Sequence, residues 1–130
     1  MNIYGINGNQ PNFGYTTILS KLYKKGKLPT VKYGLYGKKL TPKNCSNEHL
    51  IPHSKGGKTN LTNIALADRF INMLRGNSDI RRYLDVDMIK NYLIQFVDVK
   101  VKQSGKVIFN GNEYIKNIIP TFEELGFKFK

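Results

Sequence analysis

Glu48 and His49 stand side by side and are the first residues in this sequence whose types together could do chemistry. An imidazole titrates near neutrality, so it can take a proton from water at physiological pH. A carboxylate and an amide oxygen together suit a hard divalent cation, which prefers oxygen ligands and keeps several waters. Amides follow at useful distances: Asn63 lies fourteen residues after His49, and Asn72 nine after Asn63. Between them runs a basic, Gly-rich loop, Ser54-Lys55-Gly56-Gly57-Lys58, with His53 at its entrance. By itself an acid beside a histidine is more often an ordinary surface pair. Glu48, however, is the only acidic residue before Asp68, among ten lysines, which points to a specific use for its charge. The plain alternatives are that Asn63 shapes a turn and that Asn72 is a polar helix residue. Arg69 and Arg75 are forked donors suited to phosphate, or simply solvate one helix face.

These residues need a frame. HLIP reads as a short strand, SKGGKTNLT as a loop and NIALA as a second strand. DRFINMLR follows as a helix, with Phe70, Ile71 and Leu74 toward the core and Gly76 near its end. Upstream, Gly and Asn favour turns over residues 1–14, and helical spacing of Ile18, Leu19, Leu22 and Tyr23 predicts a helix over 15–25. Gly26 stops it, and VKYGLYGKKL (31–40) reads as a short strand pair or bent strand, with Tyr33 and Tyr36 as packing residues. Downstream, a helix is expected over 78–84 with Ser78 as cap, and another over 86–97 with Ile89, Leu93, Phe96 and Val97 on one side. Asn110-Gly111 signals a hairpin turn, and TFEELG (121–126) a last short helix capped by Thr121 with Glu124 completing the box.

At 130 residues the chain is one domain, 1–130, of α+β class. No apolar run reaches the ~20 residues needed to cross a bilayer, and the N-terminus lacks a signal-peptide pattern. A single cysteine, Cys45, excludes an intrachain disulfide and a Cys-rich zinc site. The expected setting is a reducing cytoplasm. The net charge of +12 favours a phosphate polymer as partner, by counterion release and steering. Lysines that only keep a small protein soluble are the plainer reading of the same charge.

The ordered set Glu48-His49, Ile51-Pro52, Ser54-Lys55-Gly56-Gly57, Asn63, Asn72, Arg75 and Asn77 resembles the HNH endonucleases. The resemblance implies a central ββα-metal (HNH) unit at about 46–77. An N-terminal helix and hairpin and a C-terminal extension of helices, 78–130, would flank it. It implies His49 as general base, Asn63 orienting it, and Glu48 and Asn72 as metal ligands. His53, Lys55, Lys58, Arg69 and Arg75 are the nucleic-acid contacts it suggests. Glu stands where the family more often has Asp. The helix-side positions of the family's structural zinc are Asp68 and Ile71 here, so no structural zinc is expected. Asn72 in place of a His favours Mg²⁺ or Mn²⁺ as the one divalent cation. Neighbours on a regular strand face opposite ways, so Glu48 and His49 share one site only if the strand bends or ends there.

The implied function is metal-dependent hydrolysis of DNA phosphodiester bonds, by nicking or double-strand cleavage. The alternative is a DNA-binding or virion-associated protein with the same fold and no turnover. RNA ranks behind DNA as the polymer, and no membrane is involved. One site cuts one strand at a time, so a double-strand break would call for a homodimer, a second turnover or a phage partner protein. A phage-encoded protein would work in the host cell cytoplasm.

Overall fold

A computed structural model describes residues 18–129, so the turns expected over 1–14 and the first residues of the expected N-terminal helix lie outside it. The architecture is mixed helix and strand, with two small antiparallel sheets of two strands each. Helix α1 (Ile18–Lys24) precedes strands β1 (Cys45–His49) and β2 (Ile64–Asp68), and helix α2 (Arg69–Arg75) follows at once. Then come α3 (Val86–Ile94), β3 (Lys100–Gln103), β4 (Lys106–Asn110) and α4 (Gly111–Glu124). Among the described residues no helix is long and apolar enough to cross a membrane.

The β1–β2 hairpin is the centre of the molecule. Its register pairs Cys45 with Asp68 and His49 with Ile64, and Ile64 to Ala67 are fully buried. Residues buried on both faces make β2 a continuous apolar run instead of an alternating one, as for a strand inside a core. Yet among the described residues β2 has only β1 as a strand neighbour, so its other edge needs partners from elsewhere. They come from three elements. The carbonyl of Leu66 accepts from the Leu35 N–H at 2.8 Å. The Leu66 N–H donates to the Tyr92 hydroxyl at 2.8 Å, and the Tyr114 hydroxyl donates to the Ile64 carbonyl at 2.7 Å. The two hydroxyls are 3.0 Å apart, and since Tyr114 has spent its proton on Ile64, Tyr92 donates to Tyr114. Phe96 stacks edge-on against both rings and closes this corner of the core.

Several elements depart from the sequence expectation, each for a visible reason. The first strand is Cys45–His49, ahead of HLIP, because Ile51 is held by Asn63 in a loop arrangement. Helix α2 does not turn Phe70 and Leu74 to the core. They are 66% and 55% exposed, beside Met73 at 73%, while Ile71 is half-buried. The face that packs on β1 carries Asn72 and Arg75 instead, because those side chains satisfy strand carbonyls. Residues 31–40 form a tight turn with a single bridge, Tyr33 to Lys39, clamped by the Gln95 side chain, and no strand pair. Tyr36 is buried there, but Tyr33 is half-exposed.

Downstream, the expected 78–84 helix is one 3₁₀ turn, Ile80–Arg82, capped by Asp79 and not Ser78. Helix α3 ends before Val97, which is half-exposed. The hairpin turn falls at Ser104-Gly105, where both residues have positive φ, as a two-residue turn between twisted strands requires. Asn110 caps α4 instead, its side chain accepting from the Glu113 N–H at 3.1 Å. The expected helix at 121–126 is the last turn of α4, which runs through Pro120 and is held by buried Phe122.

A methyl group on Gly111 would lie 1.9 Å from the Phe96 carbonyl oxygen. Gly111→Ala is therefore expected to destabilise the fold well beyond the ~1 kcal/mol typical of a point substitution. Urea unfolding measures this, and an unchanged midpoint would contradict the packing of the start of α4 on the turn at Phe96 that follows α3.

Candidate functional site

The site grows from the end of β1. Glu48 is 4% exposed, and its Oε2 accepts from the Tyr36 hydroxyl at 2.6 Å and faces the Arg75 guanidinium at 3.1 Å. Oε1 takes part in neither contact. Arg75 is 2% exposed and is a clamp. It donates to the His49 carbonyl at 2.8 Å, the Leu50 carbonyl at 2.9 Å and the Ser78 carbonyl at 3.1 Å. Its planar fork matches this set of fixed acceptors, which a lysine could not. The same burial removes Arg75 from the phosphate contacts expected of it.

Burial pushes the Glu48 carboxyl above its ordinary range, against the Tyr36 hydroxyl, the Arg75 guanidinium and the His49 N–H. Burial next to that carboxylate also holds the Tyr36 hydroxyl well above the usual phenol range. Nothing in the spacing of the basic segment 31–40 marked Tyr36 as a partner of Glu48. Only a buried acid in need of a donor could have called for it.

Asn63 is buried and secures the loop that follows His49. Its Oδ1 accepts from the Ile51 N–H at 2.8 Å, and its Nδ2 donates to the carbonyls of Ile51 (2.9 Å) and Lys58 (2.8 Å). Its own carbonyl accepts from the Leu50 N–H at 2.9 Å. Asn63 thus fixes the backbone next to His49 and not the imidazole itself. Gly57 closes the same loop, because a Cβ there would fall 1.7 Å from the Ile51 carbonyl oxygen.

The His49 ring is partly exposed at the strand end and lies 3.4 Å from the Thr59 hydroxyl. The Glu48 and His49 side chains have different neighbours, as strand alternation requires. Burial, then the charges of His53 and Arg75, lower the His49 pKa from its ordinary value, so the neutral form is favoured.

Asn72 reaches β1 from α2, its Nδ2 donating to the Ser46 hydroxyl at 3.1 Å and the Asn47 carbonyl at 3.2 Å. Its Oδ1 takes no part in these bonds. Glu48 and Asn72 therefore share the seam between β1 and α2. The side-chain oxygen of Asn47, also on this strand, is buried without a partner among the described residues.

His53, Lys55 and Lys58 are exposed on the loop, Lys55 reaching the Asn77 carbonyl at 3.3 Å. Arg69 is exposed at the opposite end of the hairpin, where Asp68 pairs with Cys45, and is not brought to His49. Cys45 is buried, and burial pushes its thiol up to about 11, so it is no nucleophile. Among the described residues no three His, Cys, Asp or Glu side chains converge as a ready metal site.

No protein-family model matches the sequence, and no curated protein or solved structure gives a significant match.

Breaking a buried ion pair leaves the other charge uncompensated, at about 3–5 kcal/mol. Arg75→Ala is expected to cost that much and to release the backbone at His49 and Leu50, measured by urea unfolding. Tyr36→Phe removes one hydrogen bond to a charged group and should cost about 1.5–3 kcal/mol by the same assay. Loss of less than ~0.5 kcal/mol for Arg75→Ala would mean that the clamp is not part of the folded core.

Proposed function

We propose that this chain is an HNH-type endonuclease that hydrolyses DNA phosphodiester bonds with a divalent cation. The observation that carries the reading is how His49 is held. Its carbonyl is tied to Arg75, the backbone after it is tied to Asn63, and its ring stays at the surface with the neutral form favoured. A general base has to be fixed in place, reachable and unprotonated, and this histidine meets all three conditions. The strand–loop–strand–helix around it fits the ββα-metal unit in order and connection.

The residues present fit one cation of the Mg²⁺ or Mn²⁺ kind. The Tyr36 and Arg75 contacts of Glu48 both fall on Oε2, Asn72 is anchored through its nitrogen, and both side chains carry hard oxygen donors. When bound, such an ion supplies charge stabilisation at the phosphate and the departing oxygen. The chain's own part is clearer. In the tautomer whose Nε2–H faces the Thr59 hydroxyl, that contact steadies the ring and Nδ1 carries the lone pair that takes the proton of the attacking water. His53, Lys55 and Lys58 offer donors and positive charge to the phosphates on either side. Arg75 and Asn63 act at one remove, as positioning residues.

A second reading, DNA binding without turnover, is favoured by one observation. The Glu48 carboxylate is already matched by Arg75 and Tyr36, so the folded chain does not need an ion to neutralise it.

Relaxation of supercoiled plasmid with Mg²⁺, Mn²⁺ or EDTA separates the two. His49→Ala should lose about 10²–10⁴-fold in rate while duplex binding survives. Equal cleavage by mutant and wild type would end the nuclease reading, and binding with no cleavage under either ion would favour the second. The sign of the pH dependence also follows. Protonated His49 is inactive, so the rate should fall with pH on an acidic limb centred below the ordinary histidine value. His53→Ala removes a nearby cationic group and should move that limb to higher pH.

A further inference from the structure

Residues 18–47 contain eight lysines and no acidic residue. Three of the lysines, Lys24, Lys32 and Lys39, line one concave surface of about 330 Å³ whose walls include Tyr23, Pro29 and Pro42. No acidic side chain lines it, and among the described residues none of the three lysines is in an ion pair. Three like charges around an apolar floor repel one another, and a polyanion relieves that repulsion.

The walls are held in place from outside. Gln95 accepts from the N–H groups of Lys32 (2.7 Å) and Tyr33 (2.9 Å), and Asn44 donates to the Lys39 carbonyl at 3.1 Å. Pro42 is in the lining, and Asn44 is followed at once by Cys45, the first residue of β1, whose N–H donates to the Thr41 carbonyl at 3.0 Å. The concavity thus adjoins the start of the strand whose other end carries His49. Four steps of antiparallel strand separate its two ends by roughly 14 Å.

We propose that Lys24, Lys32 and Lys39 form a cradle for the phosphodiester backbone of duplex DNA, at the opposite end of β1 from His49. The assignment rests on the DNA reading of the site. The apolar walls suit the faces of deoxyribose between phosphates and have no use for a free phosphate ion. The cradle grips the polymer without reading bases.

The test is anisotropy binding of a short fluorescent duplex across a salt series in EDTA, where no cleavage occurs. Each duplex phosphate contact contributes about 0.9 to the slope of log K against log salt. The triple variant Lys24→Gln/Lys32→Gln/Lys39→Gln should lose about 2.7 of that slope. A control with the same charge change, Lys100→Gln/Lys106→Gln/Lys116→Gln, should keep nearly all of it. All six side chains are exposed, so both variants should fold, and circular dichroism checks it.

Equal slopes for the two triples, whether both fall or neither does, would overturn the cradle and leave only diffuse charge. Displacement of the duplex by inorganic phosphate at constant ionic strength would overturn the polymer assignment. The nuclease reading fails separately. Cradle-dependent binding without plasmid cleavage sinks that reading and keeps the cradle, whereas cleavage with both triples binding alike does the reverse. A wild type that binds no duplex overturns both.

Discussion

A two-stranded sheet buried at the centre of a small protein leaves backbone donors and acceptors along both outer edges, away from water. That constraint accounts for Tyr92, Tyr114 and Arg75 among the polar side chains of this core. On the β2 edge, the turn at Leu35 and the phenols of Tyr92 and Tyr114 provide the partners. On the β1 edge, Asn72 takes the carbonyl of Asn47 and Arg75 that of His49. An unpaired buried backbone group costs as much as a lost hydrogen bond, so these side chains are as necessary as the apolar ones. The hairpin is held by side chains where a larger sheet would use further strands.

The candidate chemistry is built from the same parts. Arg75 closes the strand edge and neutralises Glu48, and Asn72 closes the edge through its amide nitrogen. Asn63 ties down the loop and by doing so fixes where His49 stands. Structure and proposed catalysis therefore draw on one set of contacts. Loss of activity on substituting Arg75 or Asn63 would say little about chemistry, because either change disturbs the backbone at His49. His49 itself, whose ring makes one long contact to Thr59, is the position where chemistry and stability separate most cleanly.

How much of this was legible in the sequence depends on the kind of signal. The order strand, loop, strand, helix over 45–75 could be read because β2 is a continuous apolar run and Asp68 is a good helix cap. The mixed helix and strand class followed from the same pattern. The face of α2 could not be read, because its apolar residues gave a clear periodicity that pointed the wrong way. Strand carbonyls in need of donors outranked the burial of Phe70 and Leu74, and hydrophobic patterning carries no information about such needs. Asn110-Gly111 failed for a different reason: the residues that favour a tight turn also cap helices, and only the tertiary setting chooses between them. Of the site, Glu48, Asn63 and Asn72 were legible as an ordered set, and Tyr36, Thr59 and the inward turn of Arg75 were not.

The phenol pair on the β2 edge runs in one direction, from the Leu66 amide through Tyr92 and Tyr114 to the Ile64 carbonyl. Burial lifts the Tyr114 hydroxyl well above the usual phenol range, so this relay stays protonated under any condition in which the protein is folded near neutrality. A strand edge sealed in this way has nothing to offer a neighbouring chain. On this edge two copies cannot join by extending the sheet, and a peptide cannot be captured as an added strand. Contact between copies along the β2 side falls to helices and loops, while the β3–β4 sheet keeps edges of its own.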